Sequence, residues 1–221
     1  MNRVAAVVVA AGEGRRFGGS KLFAPLKGRP VLDWSLRAFE TNPFIDAIVL
    51  VLSEAAGRVK YAAKFPKIAA VVRGGERRQD SVANGVAALQ VGDDDIILVH
   101  DGARPLLTQE LIERVIEGAR RTGAAVPGLP PDDTIKEIEG GMVVRTIDRD
   151  RLVRIQTPQG FAAGLLRRAL ARAGAEGAAG TDEAALVERL GLPVTVVAGD
   201  PRNIKITSPL DLSVAEAFLG R

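Results

Sequence analysis

The segment VAAVVVAAGEGRRFGGSK, residues 4–21, joins a run of small apolar residues to a loop rich in glycine and basic side chains. A continuous apolar run of this length is typical of a strand that is buried on both faces, as in a parallel sheet. Glycine lets the backbone approach a ligand closely, and arginine and lysine favour an anion. The segment therefore predicts a first buried strand followed by either a phosphate-binding loop or a glycine-rich surface loop.

Short apolar runs and helical patterns alternate along most of the chain. Further strands are predicted at residues 48–52, 68–72 and 96–99, and later at 193–199 and 203–207. Apolar residues at spacings of three and four predict helices at residues 31–40, 54–64, 79–90, 108–121, 161–173 and 182–190. A last helix is predicted with Ser208 as N-cap, Pro209 and Asp211 in its first turn and Gly220 at its end. This alternation predicts an α/β fold with a doubly wound, mostly parallel sheet, the Rossmann-like arrangement.

The alternation is interrupted at residues 127–150. DTIKEIE and MVVRTID show the alternating polarity of two strands, and Gly140-Gly141 between them suits a hairpin turn. We therefore expect a single domain over residues 1–221 with an inserted β-arm at 130–152. Because an isolated two-stranded ribbon is only marginally stable in water, a partner subunit is expected to cover this arm.

Composition excludes several classes of protein. The 221 residues are 47% hydrophobic and 26% charged, as in ordinary globular proteins, and carry a net charge of +3. The absence of cysteine excludes disulfides, thiolate metal sites and cysteine catalysis. No apolar run approaches the roughly 20 residues of a membrane span, and no signal-peptide pattern is seen, so we expect a cytoplasmic protein. Scattered basic pairs with 4% aromatic residues argue against a nucleic-acid partner.

The loop after the first strand has the features of an anion site. The backbone N–H groups of Gly12 and Gly14 could face a phosphate, with charge supplied by Arg15, Arg16 and Lys21. GEGRRFG is one residue too long for the dinucleotide fingerprint, and no GK[ST] follows as in a Walker A loop. Arginines in the turn suit a triphosphate better than the pyrophosphate of a dinucleotide.

Two more loops follow predicted strands, at the edge of the sheet where ligands bind in such folds. In HDGARP, residues 100–105, Asp101 is either a Mg²⁺ ligand or part of a turn, and His100 is expected to be a packed strand-end residue. In RGGERRQDS, residues 73–81, Asp80 and Ser81 either cap a helix or help to read a base edge.

Two short motifs near the end of the chain have equally simple structural interpretations. TDE at 181–183 fits a helix start capped by Thr181. NIK at 203–205 places Lys205 in an otherwise apolar strand, either at a sheet edge or directed at a ligand.

Taken together, these motifs resemble one enzyme family. AAGxGxR…K, GGxxRxDSV, HDxARP, DTIK, DR, TPQ, TDE and NIK occur in this order over residues 4–219. The set resembles the 2-C-methyl-D-erythritol 4-phosphate cytidylyltransferases of the non-mevalonate isoprenoid pathway. AAGxGxR alone indicates only a nucleotidylyltransferase, whereas HDxARP with DTIK and a late NIK is far more specific. The resemblance implies a nucleotidyltransferase fold that joins CTP and methylerythritol phosphate and releases pyrophosphate.

The resemblance also implies roles for individual residues. Arg16 and Lys21 match transition-state stabilisers, Lys205 would position the alcohol phosphate, and Asp101 would bind Mg²⁺. Thr134 and Arg149 would reach the partner subunit's substrate from the exchanged arm of a homodimer, with Arg151 as an alternative to Arg149. The remaining expected nucleotide contacts are Ala10, Ala11, Gly12, Gly14, Arg15, Gly75, Glu76, Ser81, Gly102 and Arg104.

Three other functions would share some of these sequence features. A relative that uses another alcohol phosphate, such as ribitol 5-phosphate, would share the loop and CTP. An NAD-dependent oxidoreductase is disfavoured by the loop mismatch. A non-catalytic nucleotide-binding module would not need the cations at positions 16, 21 and 205.

Overall fold

In the computed structural model of the chain, residues 2–12, 17, 21–53 and 58–220 are described. The helices are α1 (Val31–Thr41), α2 (Arg58–Lys64), α3 (Arg78–Ala87), α4 (Gln109–Thr122), α5 (Ala163–Ala175), α6 (Glu183–Glu188) and α7 (Pro209–Leu219). The strands are β1 (Val4–Ala10), β2 (Pro25–Leu26), β3 (Arg29–Pro30), β4 (Ala47–Leu52), β5 (Ile68–Arg73), β6 (Ile96–Asp101), β7 (Ala124–Leu129), β8 (Ile135–Glu139), β9 (Met142–Ile147), β10 (Arg154–Ile155), β11 (Gln159–Ala162) and β12 (Thr195–Ala198).

The central sheet has the order β10-β7-β11-β6-β1-β4-β5, and β12 pairs with β7. β1 lies parallel to both β4 and β6, and β4 lies parallel to β5. β11 is antiparallel to both β6 and β7, and β10 is antiparallel to β7. The α/β fold with a mostly parallel, doubly wound sheet is thus confirmed, with two short antiparallel strands inserted near one edge.

β1 is buried on both faces, which explains its continuous apolar sequence. Val4, Ala6 and Val8 pack in one hydrophobic cluster with residues of α1 and α4. Ala5 and Val7 pack on the opposite face, in a cluster that includes residues of α3 and α5. Because side chains alternate along a strand, neither face can carry polar residues.

The topology creates a crevice beyond the carboxyl ends of β1 and β6. After β1 the chain builds β4 and β5 on one side of it, and after α3 it returns to place β6 on the other side. Such a reversal of strand order is where α/β sheets bind ligands. The Gly102 N–H donates to the Val9 carbonyl at 2.9 Å and so keeps the two strand ends together.

Two local predictions are wrong. Residues 203–207 form no strand, since Lys205 turns its ammonium to Asp101 while the Ile206 N–H donates to the Ala103 carbonyl at 2.8 Å. Asp182 rather than Thr181 caps α6, and its carboxylate accepts from the Ala185 N–H at 2.9 Å. Ionised Asp is a stronger acceptor for a helix N-terminus than a hydroxyl. The helix predicted from residue 54 begins at Arg58 in the part of the chain that is described.

The predicted hairpin is confirmed as β8 and β9, which pair with each other and with no other described strand. Gly140 and Gly141 at its turn have φ values of +55° and +81°, the left-handed conformation that a type I′ turn requires at both positions. The apolar side chains of this arm are exposed, 62% for Val143 and 74% for Met142. The arm therefore leaves an apolar surface outside the core.

Among the described helices, none combines the length and hydrophobicity needed to cross a membrane.

Candidate active site

A cleft of about 620 Å³, including its opening to solvent, lies beyond the carboxyl ends of β1 and β6. The backbone of β1 and its following loop form one wall, and the start of α3 with its preceding loop forms another. The lining residues are Val9, Ala10, Ala11, Gly12, Lys21, Leu22, Gly75, Glu76, Arg77, Arg78, Ser81, Asp101, Ala103 and Lys205.

The structure brings together most of the residues that the sequence predicts for the nucleotide site. Nine of them line this cleft: Ala10, Ala11, Gly12, Lys21, Gly75, Glu76, Ser81, Asp101 and Lys205. Gly102 directly follows Asp101 in the chain, and Arg104 lies three positions after Asp101. Gly14, Arg15 and Arg16 lie outside the described residues. Thr134 and Arg149 are exposed near the ends of the arm and do not line the cleft.

The glycines before α3 allow two backbone segments to pack closely. A Cβ on Gly74 would lie 2.3 Å from the Ala11 Cβ, so a side chain there would push the two loops apart. The Ser81 hydroxyl accepts from the Gly75 N–H at 3.1 Å and donates to the Arg77 carbonyl at 3.2 Å. Ser81 therefore ties the loop to the helix, and its predicted contact with a nucleotide would come in addition to this structural role.

Asp101 is the centre of the charged groups in the cleft. Its Oδ1 accepts from Arg78 Nε at 3.0 Å, and its Oδ2 accepts from Lys205 Nζ at 2.7 Å. Its backbone N–H donates to the Thr157 hydroxyl at 3.1 Å. Burial alone would raise the pKa of Asp101, but Arg78 and Lys205 hold it well below the usual range. The carboxylate is thus ionised at any physiological pH.

Arg78 and Glu183 are parts of this site that the sequence did not reveal. Arg78 Nη1 donates to both carboxylate oxygens of Glu183, at 2.7 and 3.0 Å. Burial lowers the pKa of Arg78, yet Asp101 and Glu183 raise it above its ordinary value overall. The neighbouring Arg77 instead turns to the surface and pairs with Asp80 at 2.8 Å, completing a capping box at the start of α3. The motif GGxxRxDSV matches Arg78 and not Arg77, but it does not indicate that Arg78 pairs with Asp101 and Glu183.

A buried polar framework supports Asp101 from behind. His100 is fully buried, and its Nδ1 lies 3.1 Å from the Thr157 hydroxyl. Burial lowers the pKa of His100 to about 3, so the ring is neutral at physiological pH. Asn203 donates to the Thr157 carbonyl at 2.8 Å, and Arg104 donates to the Asn203 carbonyl at 2.8 Å. The prediction that His100 is a packed residue is confirmed.

A second cavity, of about 1100 Å³, lies on the far side of Lys205. It is lined by Arg104, Leu129, Pro130, Asp132, Arg154, Ile155, Gln156, Pro201, Asn203, Ile204 and Lys205. Lys205 contributes to both cavities and so stands on their common wall. Among the described residues, Arg104 Nε is buried without a hydrogen-bond partner.

The donor set of the cleft fits Mg²⁺ bound together with a nucleotide. Within the described ranges, no group of three or more His, Asp and Glu side chains could enclose a metal. Mg²⁺ is commonly held by one or two carboxylates, with substrate phosphates and water completing its coordination. Asp101 supplies one such carboxylate, and each of its oxygens retains a lone pair beyond the one that accepts from Arg78 or Lys205.

Comparison with known proteins shows which family this chain matches. The family model described as 2-C-methyl-D-erythritol 4-phosphate cytidylyltransferase matches residues 4–221. The curated enzyme of that name from Geotalea uraniireducens is 44% identical over 227 residues, covering 98% of this chain and 97% of the relative. The one from Dehalococcoides mccartyi (strain 195) is 46% identical, covering 98% of this chain and 96% of the relative.

Two solved structures that match this chain carry the name of the same enzyme or of its product-forming activity. The crystal structure of 2-C-methyl-D-erythritol 4-phosphate cytidylyltransferase from Thermus thermophilus matches with a TM-score of 0.82 and 37% identity, covering 97% of this chain and 98% of that chain. The 4-diphosphocytidyl-2C-methyl-D-erythritol synthase from Anaerococcus prevotii matches with a TM-score of 0.87 and 29% identity, covering 100% and 97%. Since one family model spans nearly the whole chain and full-length relatives share over two fifths of its residues, the chain belongs to the 2-C-methyl-D-erythritol 4-phosphate cytidylyltransferase family.

Proposed function

We propose that the chain transfers a cytidylyl group from CTP to 2-C-methyl-D-erythritol 4-phosphate, yielding the CDP-alcohol and pyrophosphate of the non-mevalonate isoprenoid pathway. The observation that carries this proposal is the cleft itself. Asp101 stands there between two cations, beside glycine-rich backbone, in a chain whose family match runs from residue 4 to residue 221.

The reaction needs no catalytic base. The phosphate of the alcohol substrate is the nucleophile, and its second pKa near 6 leaves it largely dianionic at neutral pH. One of its oxygens forms a bond to the α-phosphorus of CTP while the bond from that phosphorus to the β-phosphate oxygen breaks. The electron pair leaves with pyrophosphate, and no proton has to move. This agrees with a buried His100 whose low pKa makes it unsuited to proton transfer.

The protein's task is to bring two anions together and to stabilise the charge that develops between them. Lys21 and Lys205 both line the cleft, and Arg16 is assigned to the same task from the motif alone. The small residues from Ala10 to Gly12, together with Gly75, would let the backbone approach the nucleotide. Glu76 and Ser81 would contact the cytidine.

Asp101 would hold Mg²⁺ together with the triphosphate, and Gly102 and Arg104 would lie next to it. When bound, the cation would neutralise phosphate charge and orient the leaving group. Arg78 and Lys205 already keep the Asp101 carboxylate ionised and fixed in direction, so little reorganisation is required before binding.

The second cavity is our candidate for the alcohol phosphate. It is lined by the cationic side chains of Lys205, Arg104 and Arg154, and Arg154 pairs with Asp132 of the same lining. A phosphate there would lie across Lys205 from the nucleotide, so its oxygen could approach the α-phosphorus from the side opposite the leaving group. Cationic groups around a dianion are the expected arrangement for such a subsite.

We further propose a homodimer in which each arm serves the other subunit. Thr134 and Arg149 do not line the cleft of their own chain, and the arm exposes apolar side chains such as Ile138 and Val144, at 66% and 55%. Burial of this surface against a partner would remove it from water. In the present chain the Arg149 Nη1 donates only to the Asp132 carbonyl among the described residues, at 2.8 Å.

Pyrophosphate release tests the function directly. The purified protein is supplied with CTP and Mg²⁺ and with methylerythritol phosphate, ribitol 5-phosphate or no acceptor. We expect release with methylerythritol phosphate only, and a CDP-alcohol product of the corresponding mass. Release with ribitol 5-phosphate alone would reassign the acceptor, and tight CTP binding without release in any arm would reduce the chain to a nucleotide-binding module.

A further inference from the structure

Glu183 is a buried carboxylate that the proposed reaction does not use. Its side chain is 1% exposed, and both of its oxygens accept from Arg78 Nη1, at 2.7 and 3.0 Å. The Nε of the same guanidinium donates to Asp101 Oδ1 at 3.0 Å. A carboxylate–guanidinium–carboxylate chain therefore runs from the interior to the cleft. Because burying a carboxylate is costly unless it is paired, its presence here calls for a reason.

The fold holds Glu183 in place from two sides. Gln79, next to Arg78 on α3, accepts from the Gly180 N–H at 3.0 Å and donates to the Ala178 carbonyl at 3.2 Å. Gln159 on β11 accepts from the Ala184 N–H at 3.2 Å and donates to the Asp182 carboxylate at 2.7 Å. The backbone on both sides of Glu183 is thus anchored to the elements that carry the site.

The charges around Asp101 show what this carboxylate changes. Arg78, Arg104 and Lys205 all act on Asp101, and the buried His100 is neutral. Three cations and the single carboxylate of Asp101 would leave two positive charges in excess. Burial raises the pKa of Glu183 and Arg78 opposes this; with the carboxylate ionised against the guanidinium that donates to both of its oxygens, the excess is one. An excess of positive charge suits a triphosphate but repels a divalent cation, and in a partly buried site such charges are poorly screened.

The Arg78 guanidinium is shared between the two carboxylates. Its Nη1 donates to Glu183, and its Nε donates to Asp101 on Oδ1. This contact with Asp101 differs from the bidentate pair that Arg77 makes with Asp80 through Nε and Nη2. The Asp101 carboxylate keeps acceptor capacity for another ligand.

We propose that Glu183 is a positioning residue that acts through Arg78 to keep Asp101 able to bind a divalent cation together with the nucleotide. This rests on the proposed function, in which Asp101 holds Mg²⁺. Glu183 itself touches neither substrate nor cation. Its effect is to cancel one positive charge and to share the Arg78 guanidinium with Asp101.

Calorimetric binding of CTP in the absence of any acceptor tests the proposal without turnover. The readout is the Mg²⁺ factor, defined as the ratio of the CTP dissociation constants without and with saturating Mg²⁺. Glu183→Gln, which keeps the shape of the side chain, should lower this factor about tenfold because an uncompensated charge faces the cation. Binding of CTP without Mg²⁺ should be unchanged or tighter, whereas mere structural damage would weaken both. Glu188→Gln, on the exposed face of the same helix α6, is the matched control and should keep the wild-type factor.

A double variant separates charge from structure. Arg78→Gln combined with Glu183→Gln removes one charge of each sign and should restore the Mg²⁺ factor to within about threefold of wild type. A factor that stays at or below the Glu183→Gln value would overturn the proposal. If Glu183→Gln alone does not fold, the Mg²⁺ factor of the double variant is compared with that of the wild type. A factor within about threefold of the wild-type value supports the proposal, and a larger loss overturns it. Asp101→Asn should abolish the factor, and its survival there would instead overturn the assignment of Asp101 to Mg²⁺.

Discussion

Lys21 lines the cleft at the end of the glycine-rich loop, where its ammonium can meet negative charge that builds up during the transfer. Its removal should act on the transition state more than on binding. We predict that Lys21→Ala lowers kcat by about 10²–10³-fold, the usual effect of losing one preorganised charge contact, with little change in thermal stability. Steady-state pyrophosphate release at saturating substrates measures this.

A matched lysine serves as the control for that variant. Lys27 is exposed on the turn between β2 and β3, outside the cleft, and has a φ of +47°. Lys27→Asn keeps a residue that tolerates this conformation and should leave kcat unchanged. Turnover of Lys21→Ala near the wild-type value would contradict the role assigned to Lys21.

Some residues of the site could be predicted from the sequence and others could not. Asp101, Lys205 and the loop glycines stand out because they follow strand ends in recognisable motifs. Arg78 and Glu183 also stand in recognisable motifs, GGxxRxDSV and TDE, but the motifs alone do not assign them to the site. Arg77 pairs with Asp80 three positions away, whereas Arg78 pairs with Glu183, 105 positions away. Only this contact between distant segments connects Glu183 to the site.

At the scale of elements, the end of the chain behaves as its capping signals predict. Ser208 accepts from the Asp211 N–H, and the Asp211 carboxylate accepts from the Ser208 and Thr207 N–H groups at 2.8 Å each. Burial would raise the pKa of Asp211, but these hydrogen bonds, with those from both hydroxyls, lower it to about 2. The carboxylate therefore stabilises the folded chain when it is ionised.

The low pKa of Asp211 predicts a pH dependence of stability. Its contribution is complete above the unfolded pKa near 4 and is lost as the pH falls toward the folded value of about 2. Because the group is largely solvated, we expect only about 1 kcal/mol between pH 6 and pH 3. Urea denaturation at both pH values should show that Asp211→Asn removes this part of the wild-type loss. An equal loss in both proteins would argue against the prediction.

Gly85 gives a prediction that helix propensity alone would reverse. It lies inside α3, where alanine normally stabilises by about 1 kcal/mol relative to glycine. A Cβ there would lie 2.4 Å from Val7 Cγ1 and 2.9 Å from Val51 Cγ2, both on buried strands. We predict that Gly85→Ala lowers the free energy of unfolding by about 1–3 kcal/mol through overpacking. Chemical denaturation checks this, with Gly174→Ala in α5, where a Cβ meets nothing within 4 Å, as the stabilising control.

At this scale β1, β4, β5 and β6 were predictable, whereas β7 and the short antiparallel strands β10 and β11 were not. β1, β4, β5 and β6 have continuous apolar sequences because both of their faces are buried. β11 has four residues, QGFA, and β10 has two, which is too short for any periodicity. Their pairing with β7 depends on how the chain returns to the sheet after the arm.

At the scale of the whole molecule, the arm decides whether one chain is sufficient for activity. We predict that Arg149→Ala and Lys21→Ala are each inactive alone but recover about a quarter of wild-type activity when mixed and allowed to exchange subunits. Half of the dimers would then be mixed, and one of their two sites would have both residues intact. Measuring pyrophosphate release after subunit exchange tests this.

The alternative arrangement gives a different outcome. If each arm served its own chain, every site in the mixture would lack one of the two residues and no activity would return. Size-exclusion chromatography with light scattering should show a dimer for the wild type. Replacing exposed apolar residues of the arm, as in Val143→Asp with Val144→Asp, should shift it toward the monomer, because charges would be buried at the interface.

The sequence by itself determined the α/β class, the positions of β1, β4, β5 and β6, the hairpin and most residues that line the cleft. These depend on local patterns, namely continuous apolar runs, turn glycines and polar residues directly after strands. Only the tertiary structure decided that Lys205 pairs with Asp101, that Arg78 rather than Arg77 pairs with Asp101 and that Glu183 pairs with Arg78. These depend on which distant segments share one buried volume, where an unpaired charge is too costly to keep.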